Sequence, residues 1–170
     1  NILAANVDMT VGGNLTLESK QNTSKSKAIS FGIGGGYNSS GGGSGSGNLS
    51  YSKATSKRNW VDRQASILGT SSVIINVGEK TDLVGSVIAN SINGETGAEG
   101  IDGGNLILNT NELAYTNLKD VDKARSWGIG IGGNARFGGK GGIKGSASLT
   151  LNYSMHDFRQ DTNATIGSGI

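Results

Sequence analysis

Gly12-Gly13-Asn14-Leu15-Thr16-Leu17 recurs as Gly103-Gly104-Asn105-Leu106-Ile107-Leu108. Each copy reads as a turn followed by a strand. Glycine reaches positive φ, asparagine tolerates the left-handed region, and apolar residues then alternate with polar ones. Two further blocks recur in the same order: Ser30-Phe31-Gly32-Ile33-Gly34 as Ser126-Trp127-Gly128-Ile129-Gly130, and Arg63-Gln64 as Arg159-Gln160. Three matched blocks define a long internal repeat, with halves of about 1–91 and 92–170, the second truncated.

The composition narrows what the repeat can build. Glycine numbers 30 of 170 residues and proline none. Proline cannot donate to an interior ladder, so its absence suits long paired sheets and argues against a linker. Without cysteine there is neither a disulfide framework nor a thiolate metal site. A net charge of +2 is too small to imply a nucleic-acid partner. Hydrophobic residues make up 34% and aromatics 5%, which suits a narrow core of Val, Ile, Leu and Ala. No apolar run approaches the ~18 residues of a membrane helix. The chain starts at Asn1 with neither a Met nor a signal peptide, and we expect a single fragment, 1–170, of a longer repeat array.

Along the chain, Val7, Met9 and Val11 alternate with Asp8 and Thr10, and Leu15 and Leu17 continue the pattern. Glu18 to Lys27 is polar and aperiodic and reads as a loop. Ile29, Phe31 and Ile33 then alternate with Ser30, Gly32 and Gly34; a Gly/Ser tip, Gly34 to Gly47, precedes Leu49 and Tyr51. This predicts a β-hairpin arm over about Ala28 to Ser52. Lys53 to Arg63 reads as a basic return loop. Strands resume from Ile67 to Leu83 and from Val87 to Ala89, and Ile92 to Gly104 is a loop. The second half carries its own arm, about Trp127 to Ser154, with a tip at Gly132 to Gly145.

Asparagines stand at similar turns, Asn14, Asn76, Asn90 and Asn105, where stacked coils ~4.8 Å apart would align them into hydrogen-bonded ladders. We therefore expect an all-β fold, a right-handed parallel β-helix (solenoid) with two β-hairpin excursions. Outside the arms there is room for about four to five coils of ~20 residues. An antiparallel sandwich of the same strands is the alternative. The internal column is predicted at Leu15, Leu17, Ile75, Val77, Ile88, Leu106 and Leu108.

The run Val11 to Gln21, the block Ser30 to Gly34 and the segment Gly69 to Asn90, above all Asn76 to Ala89, resemble the haemagglutinin-type repeats of bacterial two-partner-secretion exoproteins. That family includes the filamentous haemagglutinin adhesins and the contact-dependent growth inhibition effectors. The resemblance implies a right-handed parallel β-helix in a secreted, cell-surface filament. It implies an outer-membrane transporter as partner, acting through an N-terminal domain that is not part of this chain, and neighbouring coils of the same long chain as further partners. In the effectors such a region is implicated in passing a C-terminal toxin across the target cell's outer membrane. The alternative is an adhesin segment that binds host or bacterial surface glycans.

No chemistry-bearing constellation emerges. Gly128-Ile129-Gly130-Ile131-Gly132-Gly133 fits G-x-G-x-x-G, but the glycine-rich stretch after it cannot start the helix a dinucleotide site requires. His156 is the single histidine, and its neighbour Asp157 would point to the opposite face of a strand. Asp62, Glu79, Asp82, Glu95, Glu99 and Asp102 lack calcium-loop spacing. The expectation is no enzyme: no catalytic residue, no metal ligand and no cofactor.

Two surface candidates remain. Lys53, Lys57 and Arg58 with Trp60 form a basic-aromatic patch suited to lipopolysaccharide phosphates, acidic glycans or nucleic acid, or to a solvated return loop. The arms carry Ile29, Phe31, Ile33, Leu49 and Tyr51, and Trp127, Ile129, Ile131, Leu149, Leu151 and Tyr153, each on one face, with Gly, Ser, Asn and Thr on the other. That dyad matches a lipid-facing strand. It equally suits an arm folded onto the solenoid or onto the other arm, which is the expected resting arrangement.

Overall fold

The computed structural model describes residues 1–40, 42–138 and 142–168. Among these residues the chain is all β, with twelve strands and one 3-10 turn at Gly97–Glu99. The strands are β1 (Ile2–Val11), β2 (Leu15–Glu18), β3 (Asn22–Asn38), β4 (Ser44–Trp60), β5 (Ser66–Val77) and β6 (Lys80–Val84). Then follow β7 (Val87–Asn90), β8 (Leu106–Asn109), β9 (Glu112–Thr116), β10 (Leu118–Arg136), β11 (Lys144–Thr162) and β12 (Thr165–Ile166). The chain divides into two compact units. Unit 1 holds Asn1–Thr23, Asn59–Val121 and Arg159–Ile170; unit 2 holds Ser24–Arg58 and Asp122–Phe158.

Unit 1 is built from parallel ladders. In one sheet β5 pairs with β1, β7 and β8, and β7 pairs with β12. In a second, β6 lies between β2 and β9. The registers keep like with like: Val73 sits opposite Val7 and Leu106, Ile75 opposite Met9 and Leu108, and Leu83 opposite Leu17. Because side chains alternate along a strand, such stacking aligns whole columns. Val7, Ile67, Val73, Ile75, Val77, Leu83, Ile88 and Leu106 form the buried cluster, with Met9, Val11, Leu15, Leu17, Leu108, Ala164 and Ile166 packed against it. Every position expected in the internal column lies in or against this cluster. Full burial of each such side chain is worth about 1.5–3 kcal/mol.

Polar side chains tie the stacked strands together. Asn76 Oδ1 accepts from Asn109 Nδ2 at 2.7 Å, an asparagine that the expected ladder did not include. The other turn asparagines bond to backbone instead. Asn14 Oδ1 accepts from Lys80 N at 3.0 Å, and buried Asn90 donates to Gly69 O at 2.8 Å and accepts from Asn105 N at 3.1 Å. Satisfying a buried carbonyl and amide at once makes Asn90 a turn anchor rather than a ladder rung. Buried Ser19, past the end of β2, donates to Gly85 O and accepts from Ala65 N at 2.7 Å, linking the segments before and after the first excursion.

The third sheet is antiparallel and four-stranded, in the order β11-β10-β4-β3. Two hairpins are present at the expected places but are longer than expected. Asn22 to Lys27 and Lys53 to Trp60, read from sequence as polar loops, lie in β3 and β4. The second hairpin likewise runs over β10 and β11, well beyond Trp127 to Ser154. Cross-strand hydrogen bonds are blind to side-chain polarity, so a hairpin can extend through lysine and serine once its partner strand is in register. The Gly34–Gly47 and Gly132–Gly145 tips shrink correspondingly; residue 41 of the first, and residues 139–141 of the second, lie outside the described residues. Gly42, Gly43, Gly138 and Gly142 turn the chain at positive φ. Among the described residues none of the three sheets closes and the third is antiparallel, so the expected all-β class is met while a right-handed parallel β-helix is not shown.

Candidate functional site: an exposed four-stranded sheet

Two-residue alternation decides what each face of the third sheet carries. Ser26 Oγ lies 2.8 Å from Ser56 Oγ, and a Cβ on Gly32 would sit 2.6 Å from Ser50 Oγ. Gly34 is packed under Asn48 in the same way. Gly128 lies against Ser52, Gly132 against Ser148, and Ser146 donates to Asn134 at 2.9 Å. Even-numbered positions therefore share one face, which behind the apolar rows is a dense layer of Gly, Ser, Asn, Thr and Ala. A methyl at Gly32 or Gly34 would make the Ser50 hydroxyl or the Asn48 amide turn aside, and one at Gly128 or Gly132 would sit tightly against its neighbours.

The same pairing sets the odd-numbered positions in rows across the four strands. Ile33, Leu49, Ile131 and Leu149 form one row, and Phe31, Tyr51, Ile129 and Leu151 the next. Ile29, Lys53, Trp127 and Tyr153 form the third, with the Tyr51 and Trp127 rings 5.3 Å apart across neighbouring strands. The structure thus brings all eleven arm residues onto one face. They are not covered: Ile33 is 80% exposed, Leu151 71% and Phe31 67%. The expected packing of the arms is met only edge to edge, through the β4–β10 pairing; their apolar faces stay open. Tyr37, Phe137, Ile143 and Met155, not singled out from sequence, are also exposed. Among the described residues, every buried hydrophobic side chain belongs to unit 1.

The basic-aromatic patch does not survive as one cluster. Lys53 and Lys57 point to the apolar face, while Arg58 and Trp60, an odd number of residues away on β4, point to the other. Arg58 lies 3.9 Å from Asp122. In its place Lys53 and Lys57 join Lys25, Lys27, Lys123 and Arg125 on the apolar face, next to the Trp127 row. Asp157 faces them, 3.3 Å from Lys123 Nζ. Sequence reading missed this cluster because its members come from three strands. The available signal was that all six stand at odd positions flanking the apolar runs.

Other candidates resolve into structure. Gly128 to Gly133 lies inside β10, so the glycine motif has no loop and no helix. His156 is on β11, stacked on Phe158 with ring centroids 6.5 Å apart. Asp120 is fully buried in unit 1 and accepts four hydrogen bonds: Oδ1 from Gln21 Nε2 (2.7 Å) and Val61 N (3.2 Å), Oδ2 from Thr162 Oγ1 (2.6 Å) and Gln160 Nε2 (3.3 Å). Burial pushes its carboxyl up, but the donors from Thr162, Gln21, Gln160 and Val61 together outweigh it and hold the group below the usual carboxylate range. A groove of about 610 Å³ runs along β7 and β12 and includes Asp102. That carboxylate is occupied by Ser168 Oγ and N, both at 2.6 Å, and by Gly104 N at 2.9 Å; the Ser168 hydroxyl above all keeps it ionised to lower pH than usual. Among the described residues no group of three or more His, Cys, Asp or Glu is placed to hold a metal ion, and no helix is long and apolar enough to cross a membrane.

Residues 1–32, covering β1, β2 and the start of β3, match the family model of the hemagglutinin repeat, a structural and adhesin family rather than an enzymatic one. No curated protein and no solved structure matches the chain.

Proposed function

We propose that this chain is a structural segment of a secreted bacterial surface filament of the two-partner-secretion type, and that its four-stranded sheet is the contact surface. The observation that carries the reading is the stacking in unit 1. Asn90 bonds to Gly69, 21 residues before it, and Asn14 to Lys80, 66 residues after it. Parallel in-register rungs interrupted by insertions are what a right-handed β-helix with hairpin excursions requires. The hemagglutinin-repeat match over residues 1–32 supports the same reading. On this view residues 1–91 and 92–170 are two repeats, each supplying rungs and one hairpin. Neighbouring coils of the parent chain cover the ends of the stack. An outer-membrane transporter exports the parent to the cell surface.

The contact surface engages a target cell's outer membrane, in the manner of the delivery region of a contact-dependent growth inhibition effector. The test is to delete residues 24–58 and 122–158 from the full-length parent, expressed with its transporter. Surface display, read by protease shaving, should persist while delivery to target cells is lost. Delivery that survives the deletion would remove the sheet from the mechanism. A second reading, an adhesin that binds surface glycans, draws on the same match and on Lys53, which shares the Trp127 row next to Tyr51. Loss of cell adhesion without any toxin delivery by the parent would favour it.

A further inference from the structure

We propose that the odd-numbered face of the four-stranded sheet seats on a membrane surface of phosphate-bearing, anionic lipids. The three apolar rows would enter the acyl boundary, and the six cations would sit at the level of the phosphates. This rests on the reading that the sheet is the contact surface. It does not depend on the filament, the transporter or a toxin.

The first observation is the missing cover. A sheet with one apolar face is stable in water only when that face is buried against something. Here Phe31, Ile33, Leu149, Leu151 and Tyr153 are all more than 60% exposed. With residues i and i+2 about 6.7 Å apart and strands about 4.8 Å apart, the three rows make a flat patch on the order of 400 Å². The second observation is the order of chemistry along the strands. The two outer apolar rows contain no charge. The third, Ile29-Lys53-Trp127-Tyr153, mixes apolar, aromatic and cationic side chains. Beyond it come Lys27 and Arg125, then Lys25, Lys57 and Lys123. A lipid surface presents that sequence of layers: acyl chains, then the boundary where Trp and Tyr collect, then phosphates.

Charge selects among the possible occupants. On this face of unit 2, among the described residues, six cations meet one carboxylate, Asp157. An anionic lipid surface complements that excess; a neutral one would leave it unpaired. A second copy stacked face to face in the same strand direction would set cation against cation. The opposite face, tiled with Gly, Ser, Asn and Thr, remains suited to water.

The test uses the whole 170-residue chain, co-sedimented with phosphatidylcholine vesicles with and without a minority of phosphatidylglycerol. Binding should favour the anionic vesicles by at least tenfold and weaken as salt rises. Replacing a cation at the surface should cost about fivefold, so Lys25→Ser, Lys27→Ser and Lys57→Ser together should cost about a hundredfold. Lipids brominated on their acyl chains should quench tryptophan fluorescence in the wild type, and much less so in Trp127→Phe. Equal binding to both vesicle types overturns the proposal, as does a triple variant that is folded by circular dichroism and binds like wild type. So does a lipid-free dimer in which Trp127 is already shielded from acrylamide, since the occupant would then be a second copy. A chain that binds anionic vesicles in this way while its parent fails to reach the cell surface overturns the filament reading alone.

Discussion

Replacing Asp120 by alanine should unfold unit 1 at markedly lower denaturant. The side chain is fully buried, and both its oxygens are used: Gln21 and Val61 N donate to one, Thr162 and Gln160 to the other. A hydrogen bond to a charged group contributes about 1.5–3 kcal/mol, but the four are not additive and the freed amides can partly re-solvate. We expect Asp120→Ala to cost about 3–5 kcal/mol. Asp120→Asn keeps the shape and one carbonyl. It sets an amide NH2 against donors on the other side unless Thr162 turns its hydroxyl to accept. A cost of about 2 kcal/mol follows from that single mismatch. The pH dependence supplies an independent check. The folded carboxyl titrates below its usual range, so the anion's stabilisation is complete above the unfolded pKa of about 3.9 and is lost as pH falls through the lower folded value. The gap between wild type and Asp120→Asn should therefore be constant from neutral pH down to about 5 and narrow below about 4. Urea unfolding followed by circular dichroism at several pH values measures both quantities. A cost below about 1 kcal/mol for Asp120→Ala, or a gap that does not change in acid, would mean that the carboxylate is not the anchor described here.

Leu83→Ala should cost about 2–5 kcal/mol by opening a cavity in the unit 1 column, whereas Ile74→Ala, on the outward side of β5, should cost less than about 1 kcal/mol; equal shifts in thermal melts would mean that the register is wrong. Asn90→Ala removes the partner of both Gly69 O and Asn105 N and should cost about 2 kcal/mol, read by urea unfolding. Gly69→Ala would set a methyl 2.7 Å from Val73 Cγ2 and against Ser72 O, so a loss of about 1–3 kcal/mol is expected from the same assay. Phe31→Asp and Trp127→Asp, at positions 67% and 46% exposed, should change stability by no more than about 0.5 kcal/mol yet abolish vesicle binding; variants that bind unchanged would mean that the apolar face is not the contact.

Much of this molecule is legible in short range. Period-two alternation at Val7-Asp8-Met9-Thr10-Val11 and at Phe31-Gly32-Ile33 is a local property, and it sets both the strand and the contents of its two faces. The Gly-Asn turns before Leu15 and Leu106 and the alternation around Ile75 were enough to name the buried column. The eleven apolar arm residues could be assigned to one face for the same reason. Other features depend on partners far away in the chain. Polar stretches such as Lys53 to Trp60 become strand because a hairpin partner completes their backbone ladder, which no local pattern announces. The six cations assemble only when β3, β4 and β10 lie side by side, and alternation on β4 splits Lys57 from Arg58 although they are adjacent in sequence. Asp120 looks like any surface carboxylate between Lys119 and Val121; it becomes an anchor because Val61 and Gln21, 59 and 99 residues away, arrive with donors. Local sequence set the faces of each strand through side-chain geometry, and tertiary pairing decided which faces met, because register is a relation between segments and belongs to neither alone.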